Sequence, residues 1–110
     1  MEIIEEMQND INIYRLKGRL DSNTSQGFEQ KVFQAISDGS KRMIVDFKDL
    51  NYISSDGIRV ILIAAKAIKR EEGQIMFCCM RDYVKEVFEI AGLGSLLPVV
   101  AAMDDALKVF

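Results

Sequence analysis

Two short apolar runs, RMIVDF (42–47) and QIMFCCM (74–80), constrain this chain more than any other feature. Each is nearly continuous in apolar side chains. That is the pattern of a strand buried on both faces, not of one that meets water at every second residue. Between them, residues 56–71 place apolar side chains at helical spacing. Two such strands joined through a helix read as a β-α-β unit with parallel strands, because the crossover returns the chain to the same end of the sheet. The class is therefore α/β.

The flanking segments extend this unit. Residues 2–7 and 11–17 read as strands joined by a turn at Asn9-Asp10, with Ile11, Ile13 and Leu16 facing inward. GRLDSNTS (18–25) breaks the pattern, and Ser22 or Asn23 is expected to cap a helix running to Ser37. Phe28, Val32, Ala35 and Ile36 form the apolar face of that helix. A third helix over 82–91 carries Val84, Val87, Phe88 and Ala91 on one side and stops at Gly92. LLPVV (96–100) reads as a last short strand and DDALKVF (104–110) as a last helix. With 49% hydrophobic residues, one proline (Pro98), no repeat and no linker, the 110 residues make one domain with one core. The expectation is a mixed sheet of about five strands with about four helices mainly on one face, the helices at 24–37 and 56–70 side by side.

Composition excludes several functions. A net charge of −3 does not suit a nucleic-acid surface or a polybasic membrane anchor. No apolar run reaches the ~20 residues that cross a bilayer. The acidic start MEIIEEM lacks the basic region of a secretory signal, and two unpaired cysteines suit a reducing compartment, so a cytoplasmic location is expected. There is no histidine, which removes the commonest general base and metal ligand. Cys78 and Cys79 are adjacent and lack CxxC spacing, so they read as small buried apolar side chains.

One stretch stands out: YISSDGIRVIL (52–62), two serines, an aspartate and a glycine at the entry to the central helix. A helix N-terminus offers unpaired N–H groups and the positive end of the helix dipole, so a serine there is a good phosphoacceptor. The alternative is that Ser54 or Ser55 only caps the helix and Gly57 only permits close packing. A hydrolase is excluded by the missing base, by the absence of a Ser-x-x-Lys spacing and by the lack of a G-x-S-x-G elbow. Asp21, Asp46, Asp49 and Asp56 are expected at strand-to-helix junctions, where they serve turns and caps rather than Mg²⁺. The acidic pair and late lysine of a phospho-receiver domain are missing. On the central helix, Arg59, Lys66 and Arg70 share one stripe, opposite Ile61, Ala64, Ala65 and Ile68. Leu62 and Ile63 flank the stripe, Ile63 only ~40° from Arg59, which suggests an exposed apolar partner surface.

Three stretches in order, LKGRLDSNTSQGF (16–28), MIVDFKDLNYISSDGIRVIL (43–62) and VFEIAGLGSLLPVVAAMDDAL (87–107), resemble the STAS domain of bacterial anti-sigma-factor antagonists over essentially the whole chain. The resemblance implies a non-enzymatic regulator of transcription without metal or cofactor. Its partner would be an anti-sigma factor that is also an ATP-dependent serine kinase, with a phosphatase resetting the switch. Aligned on Gly57, the family's phosphorylated serine falls on Ser55, its signature aspartate on Ser54 and its second Ser/Thr on Asp56. The acid has thus moved from before the acceptor to after it. The Gly-x-Leu-Asp aspartate of the family falls on Asp21. The implied interface is Asp21, Ser22, Asn23 and Thr24, then Ser54, Asp56 and Gly57, then Arg59, Leu62 and Ile63. The altered turn keeps a second reading open: an unphosphorylated STAS scaffold or accessory subunit, for example of a lipid-transport complex.

Overall fold

The computed structural model describes residues 1–110, in the order β1 (Glu2–Gln8), β2 (Ile11–Leu20), α1 (Ser25–Ser37), β3 (Arg42–Ile53), α2 (Ser55–Arg70), β4 (Gln74–Cys78), α3 (Asp82–Ile90), β5 (Val99–Val100) and α4 (Met103–Val109). One five-stranded sheet runs β1-β2-β3-β4-β5. β1 is antiparallel to β2, and every later pairing is parallel. The β1–β2 hairpin turns at Asn9 and Asp10, both left-handed with φ of 51° and 66°. This is the twist a two-residue hairpin needs, and Asn and Asp tolerate it.

Strand order decides where the helices go. The parallel strands are added in one direction, and right-handed crossovers then put every connecting helix on the same face. α1, α2 and α3 accordingly cover one face, where Phe28, Val32, Val60, Ile61, Val84 and Phe88 meet Tyr14, Leu16, Met43, Val45, Phe47 and Phe77. Phe47 stacks on Phe77 at 5.9 Å and meets Phe88 edge-on at the same distance. α4 follows the last strand and crosses to the opposite face, setting Ala106 on Ile11, Ile13, Ile44, Met76 and Cys78. The two apolar runs are therefore buried on both faces. Ile11 and Ile13 face α4, whereas Leu16 lies in the core under α1–α3, so these three residues do not share a face. No helix is long and apolar enough to cross a membrane.

Several boundaries differ from the sequence expectation. β2 runs on to Leu20 where the sequence predicts a break from Gly18, because it keeps pairing with β3 to Ile53, and β5 is only Val99–Val100 where the sequence predicts a strand over 96–100. β3 continues past Phe47 to Ile53, because two irregularities in its pairing with β2 hide the strand period. Arg15 pairs with Asp46 but Lys17 with Asp49, and Gly18 pairs with Leu50 but Arg19 with Tyr52. Each step inserts one extra residue on β3, so its outer half buries Leu50 and Ile53 out of alternation. Helix α1 starts later than expected. Its N-cap is Thr24 rather than Ser22 or Asn23, both of which are exposed in the preceding turn.

The entry of α2 depends on Gly57. A Cβ there would lie 2.6 Å from the Leu20 carbonyl oxygen and 2.8 Å from Ile53 Cγ1. The first of these is backbone at the end of β2, which cannot rotate aside. Gly57→Ala is expected to cost about 1–3 kcal/mol through overpacking. Thermal denaturation should show this as a drop of about 4–8 °C per kcal/mol. An unchanged or higher Tm would mean that α2 can lift off β2 freely.

Candidate functional site

β2 and β3 end together. Leu20 pairs with Ile53, and the Ser54 N–H donates to the Leu20 carbonyl at 3.0 Å. The turns that follow, Asp21–Thr24 and Ser54–Gly57, thus emerge side by side at the carboxyl edge of the sheet, where open α/β sheets collect their ligands. α1 and α2 start from these turns and pack against each other. The structure brings the two expected halves of the interface together.

The first turn is held by its own polar groups. Thr24 Oγ1 accepts from the Asp21 N–H at 2.9 Å and donates to the Arg19 carbonyl at 2.8 Å. Asp21 Oδ1 accepts from the Asn23 N–H at 3.0 Å, and Arg19 Nε lies 3.5 Å from Asp21 Oδ2. The Asn23 N–H, with help from Thr24 and Arg19, holds the Asp21 carboxyl below its ordinary range, so it stays charged. The Arg19 guanidinium also lies over the Tyr52 ring, 4.1 Å from its centre. This pair borders the site and has no obvious sequence signature. It follows from the shifted register that sets Arg19 opposite Tyr52.

The second turn separates its two serines. Ser54 is the N-cap of α2: its Oγ accepts from the Gly57 N–H at 3.3 Å, and it is half-buried. Ser55, the first residue of the helix, is exposed and its hydroxyl makes no hydrogen bond within the chain. Asp56 is half-exposed and sits 3.9 Å from Arg59 Nε. Arg59 reaches Glu29 of α1 at 4.0 Å on its other side. Both contacts are loose and wet, so Arg59 is a weakly committed cation at the rim. Glu29 is the residue of this rim that the sequence reading missed, since only the packing of α1 on α2 brings it there.

Leu62 and Ile63 are both half-buried: Ile63 is partly exposed, as its place beside the Arg59 stripe predicts, and neither is open enough to make a ready-made apolar patch. Leu62 packs against the main core, whereas Ile63 belongs to neither core cluster. α2 lies against α1, and the flank it turns toward the sheet is wider than a single-helix projection allows. Asp46 and Asp49 are not at a junction. Both lie within β3, with Asp46 buried on the α4 face, remote from the serine turn in the strand register. The four aspartates do not form one site.

The STAS domain family matches residues 2–106. A Bordetella bronchiseptica protein named "Putative anti-sigma factor antagonist BtrV" is 34% identical over 86% of this chain and 82% of its own length. An anti-sigma factor antagonist from Mycobacterium paratuberculosis superposes with a TM-score of 0.89 at 18% identity, covering 98% of this chain and 92% of that one. The Bacillus cell fate determinant SpoIIAA in its phosphorylated form gives 0.79 at 23% identity and 97% coverage of both chains. At those identities the structures speak for the fold alone. The family match over nearly the full length and the relative at 34% identity carry the assignment: the chain belongs to the STAS domain family.

Proposed function

We propose that the chain is an anti-sigma factor antagonist switched by phosphorylation of Ser55. The unphosphorylated protein docks, through Asp21–Thr24, the serine turn and the outer flank of α2, onto an anti-sigma factor that is also an ATP-dependent serine kinase. Phosphate on Ser55 ends the contact, and a phosphatase restores it. The protein acts in the cytoplasm as a substrate and binding partner, not as an enzyme. The observation that carries this reading is the division of labour between the serines. Ser54 is occupied as a cap, while Ser55 presents a free, exposed hydroxyl at a helix N-terminus. Further support comes from relatives named as antagonists of anti-sigma factors, and from SpoIIAA, solved in unphosphorylated and phosphorylated forms.

The chemistry of the turn fits a reversible charge. A phosphoserine carries about −1.5 to −2 charge at neutral pH. At the first position of α2 it meets the helix dipole, which favours an anion by roughly 0.3–1 kcal/mol. Arg59, one helical turn further along, is held only loosely by Asp56 and Glu29 and is available to the phosphate. Asp56 acts in the opposite sense, as a like charge beside the acceptor. Its half-exposed position limits that repulsion.

The test is phosphosite mapping by mass spectrometry after incubation with ATP and a lysate of the cells that make the protein. Label is expected on Ser55 and not on Ser54. Ser55→Ala should abolish labelling and keep partner binding, Ser55→Asp should weaken binding, and Asp56→Ser should speed labelling. Full labelling of Ser55→Ala, or undiminished binding by Ser55→Asp, would refute the switch. Either result would favour the scaffold reading, which the altered order Ser-Ser-Asp-Gly keeps in view.

Stability measurements separate the serines independently. Ser54→Ala should cost about 1 kcal/mol as a lost N-cap. Ser55→Ala should stay within about 0.5 kcal/mol, as an exposed position does. Equal losses in urea titrations would contradict the assigned roles.

Ile63→Glu probes the outer flank of α2. Binding to the kinase should fall while stability changes by less than about 1 kcal/mol. A loss of several kcal/mol, the cost of an unpaired buried charge, would assign Ile63 to packing and not to the interface.

A further inference from the structure

We propose that Cys78, Cys79 and Asp46, on the α4 face of the sheet and away from the serine turn, form a site for one thiophilic divalent cation of the zinc class. The ligand atoms of these three side chains all lie within 4.8 Å of one another. A strand sends successive side chains to opposite faces, so adjacent cysteines at the end of β4 should diverge. They converge because Cys79 is left-handed, with φ of 61°, which turns its thiol back toward Cys78. A non-glycine residue adopts that conformation only at a cost. Asp46 is brought beneath them by its register with Cys78 in the β3–β4 pairing.

The geometry suits a tetrahedral ion. Zinc holds sulfur at about 2.3 Å and carboxylate oxygen at about 2.0–2.2 Å, which sets its ligand atoms roughly 3.5–3.8 Å apart. Small side-chain rotations close the observed spread to that value. Two sulfurs select a soft cation over Mg²⁺ or Ca²⁺. Cys78 and Asp46 are buried, and half-buried Cys79 leaves an approach from solvent beside α4.

Binding M²⁺ releases one proton from each thiol and leaves two thiolates and one carboxylate around the ion, a net charge of −1. Arg15 Nε lies 3.4 Å from Asp46 Oδ2 and offsets that charge in part, since the other end of its guanidinium is paired with Glu6. A thiol binds a cation as its thiolate, so binding is coupled to proton release.

Cadmium titration of the reduced full chain tests the site. One Cd²⁺ per chain is expected, with a thiolate-to-metal charge-transfer band in the ultraviolet, and Zn²⁺ alone should occupy the same site and slow alkylation of Cys79. Cys79→Gly fits the left-handed backbone and should keep the fold, as circular dichroism will show, while binding Cd²⁺ at least about tenfold more weakly. Asp46→Asn should keep the band and weaken binding about 10–100-fold. No band at one equivalent, or identical titrations of the parent and Cys79→Gly, would overturn the proposal.

Discussion

The parallel pairing that ends β2 and β3 at the same level is the constraint on which the rest of the molecule depends. Leu20 faces Ile53, and the Leu20 carbonyl accepts the Ser54 N–H while pressing on Gly57. One backbone oxygen thus fixes both the exit of β3 and the closeness of α2. Two helix entries far apart in sequence become neighbours through this backbone pairing, and the only ion pair between the two helices, Arg59–Glu29, is loose. A one-residue slip would exchange the faces of β3 and force Val45 and Phe47 out of the α1–α3 core onto the α4 face, so the site is tied to the same register that buries Phe47 and Leu50. The two extra residues in β3 allow the strand ends to meet despite the difference in length.

Much of this is legible from residue pattern. The doubly buried strands, the hairpin at Asn9-Asp10, the stop at Gly92 and the β-α-β order all follow from local chemistry. What was hidden had specific causes. The outer half of β3, FKDLNYI, breaks the two-residue period because bulges shift its side chains, and no composition rule reveals a bulge. The turn SNTS offers four cap-competent residues in a row, and only the backbone distinguishes Thr24 as the one at the helix boundary. For the site, the serine turn is visible at once and the resemblance sets Ser55 apart, but residue pattern alone does not say which serine caps the helix. Capping geometry answers that, through the Gly57 N–H that Ser54 alone receives. One helix in isolation predicts a partly exposed Ile63 with Leu62 beside it, and both are half-buried against the neighbouring elements.

The two faces of the sheet carry different loads. The α1–α3 face holds the large aromatic core, with Tyr14 edge-on to Phe28 at 6.0 Å and the Phe47–Phe77–Phe88 group behind the serine turn. That group anchors α3 to β3 and β4 of the sheet, since removing a buried Phe costs about 3–5 kcal/mol. The α4 face is thinner, with six buried residues in its cluster. It is also where the polar exceptions occur: buried Asp46 and the converging thiols. A small domain tolerates such groups where the aromatic packing is not interrupted.

A phosphate on Ser55 can work as a switch only if docking removes it from water. The modification alters the isolated fold little, because an exposed phosphate stays hydrated and the helix dipole favours it by roughly 0.3–1 kcal/mol. Turning a population from 99% bound to 1% bound needs about 5.5 kcal/mol of differential affinity. A phosphate left at a wet rim supplies a fraction of that, since exposed charge pairs are worth about 0–1 kcal/mol. Desolvating it in a closed interface costs several kcal/mol. In the proposed switch, Ser55 therefore belongs near the centre of the docked surface and not at its edge. The Asp21–Thr24 turn emerges beside it, and the Arg59–Ile63 flank of α2 follows it. A partner that covers both encloses the serine, and one that covers either alone leaves it in water and insensitive to its state.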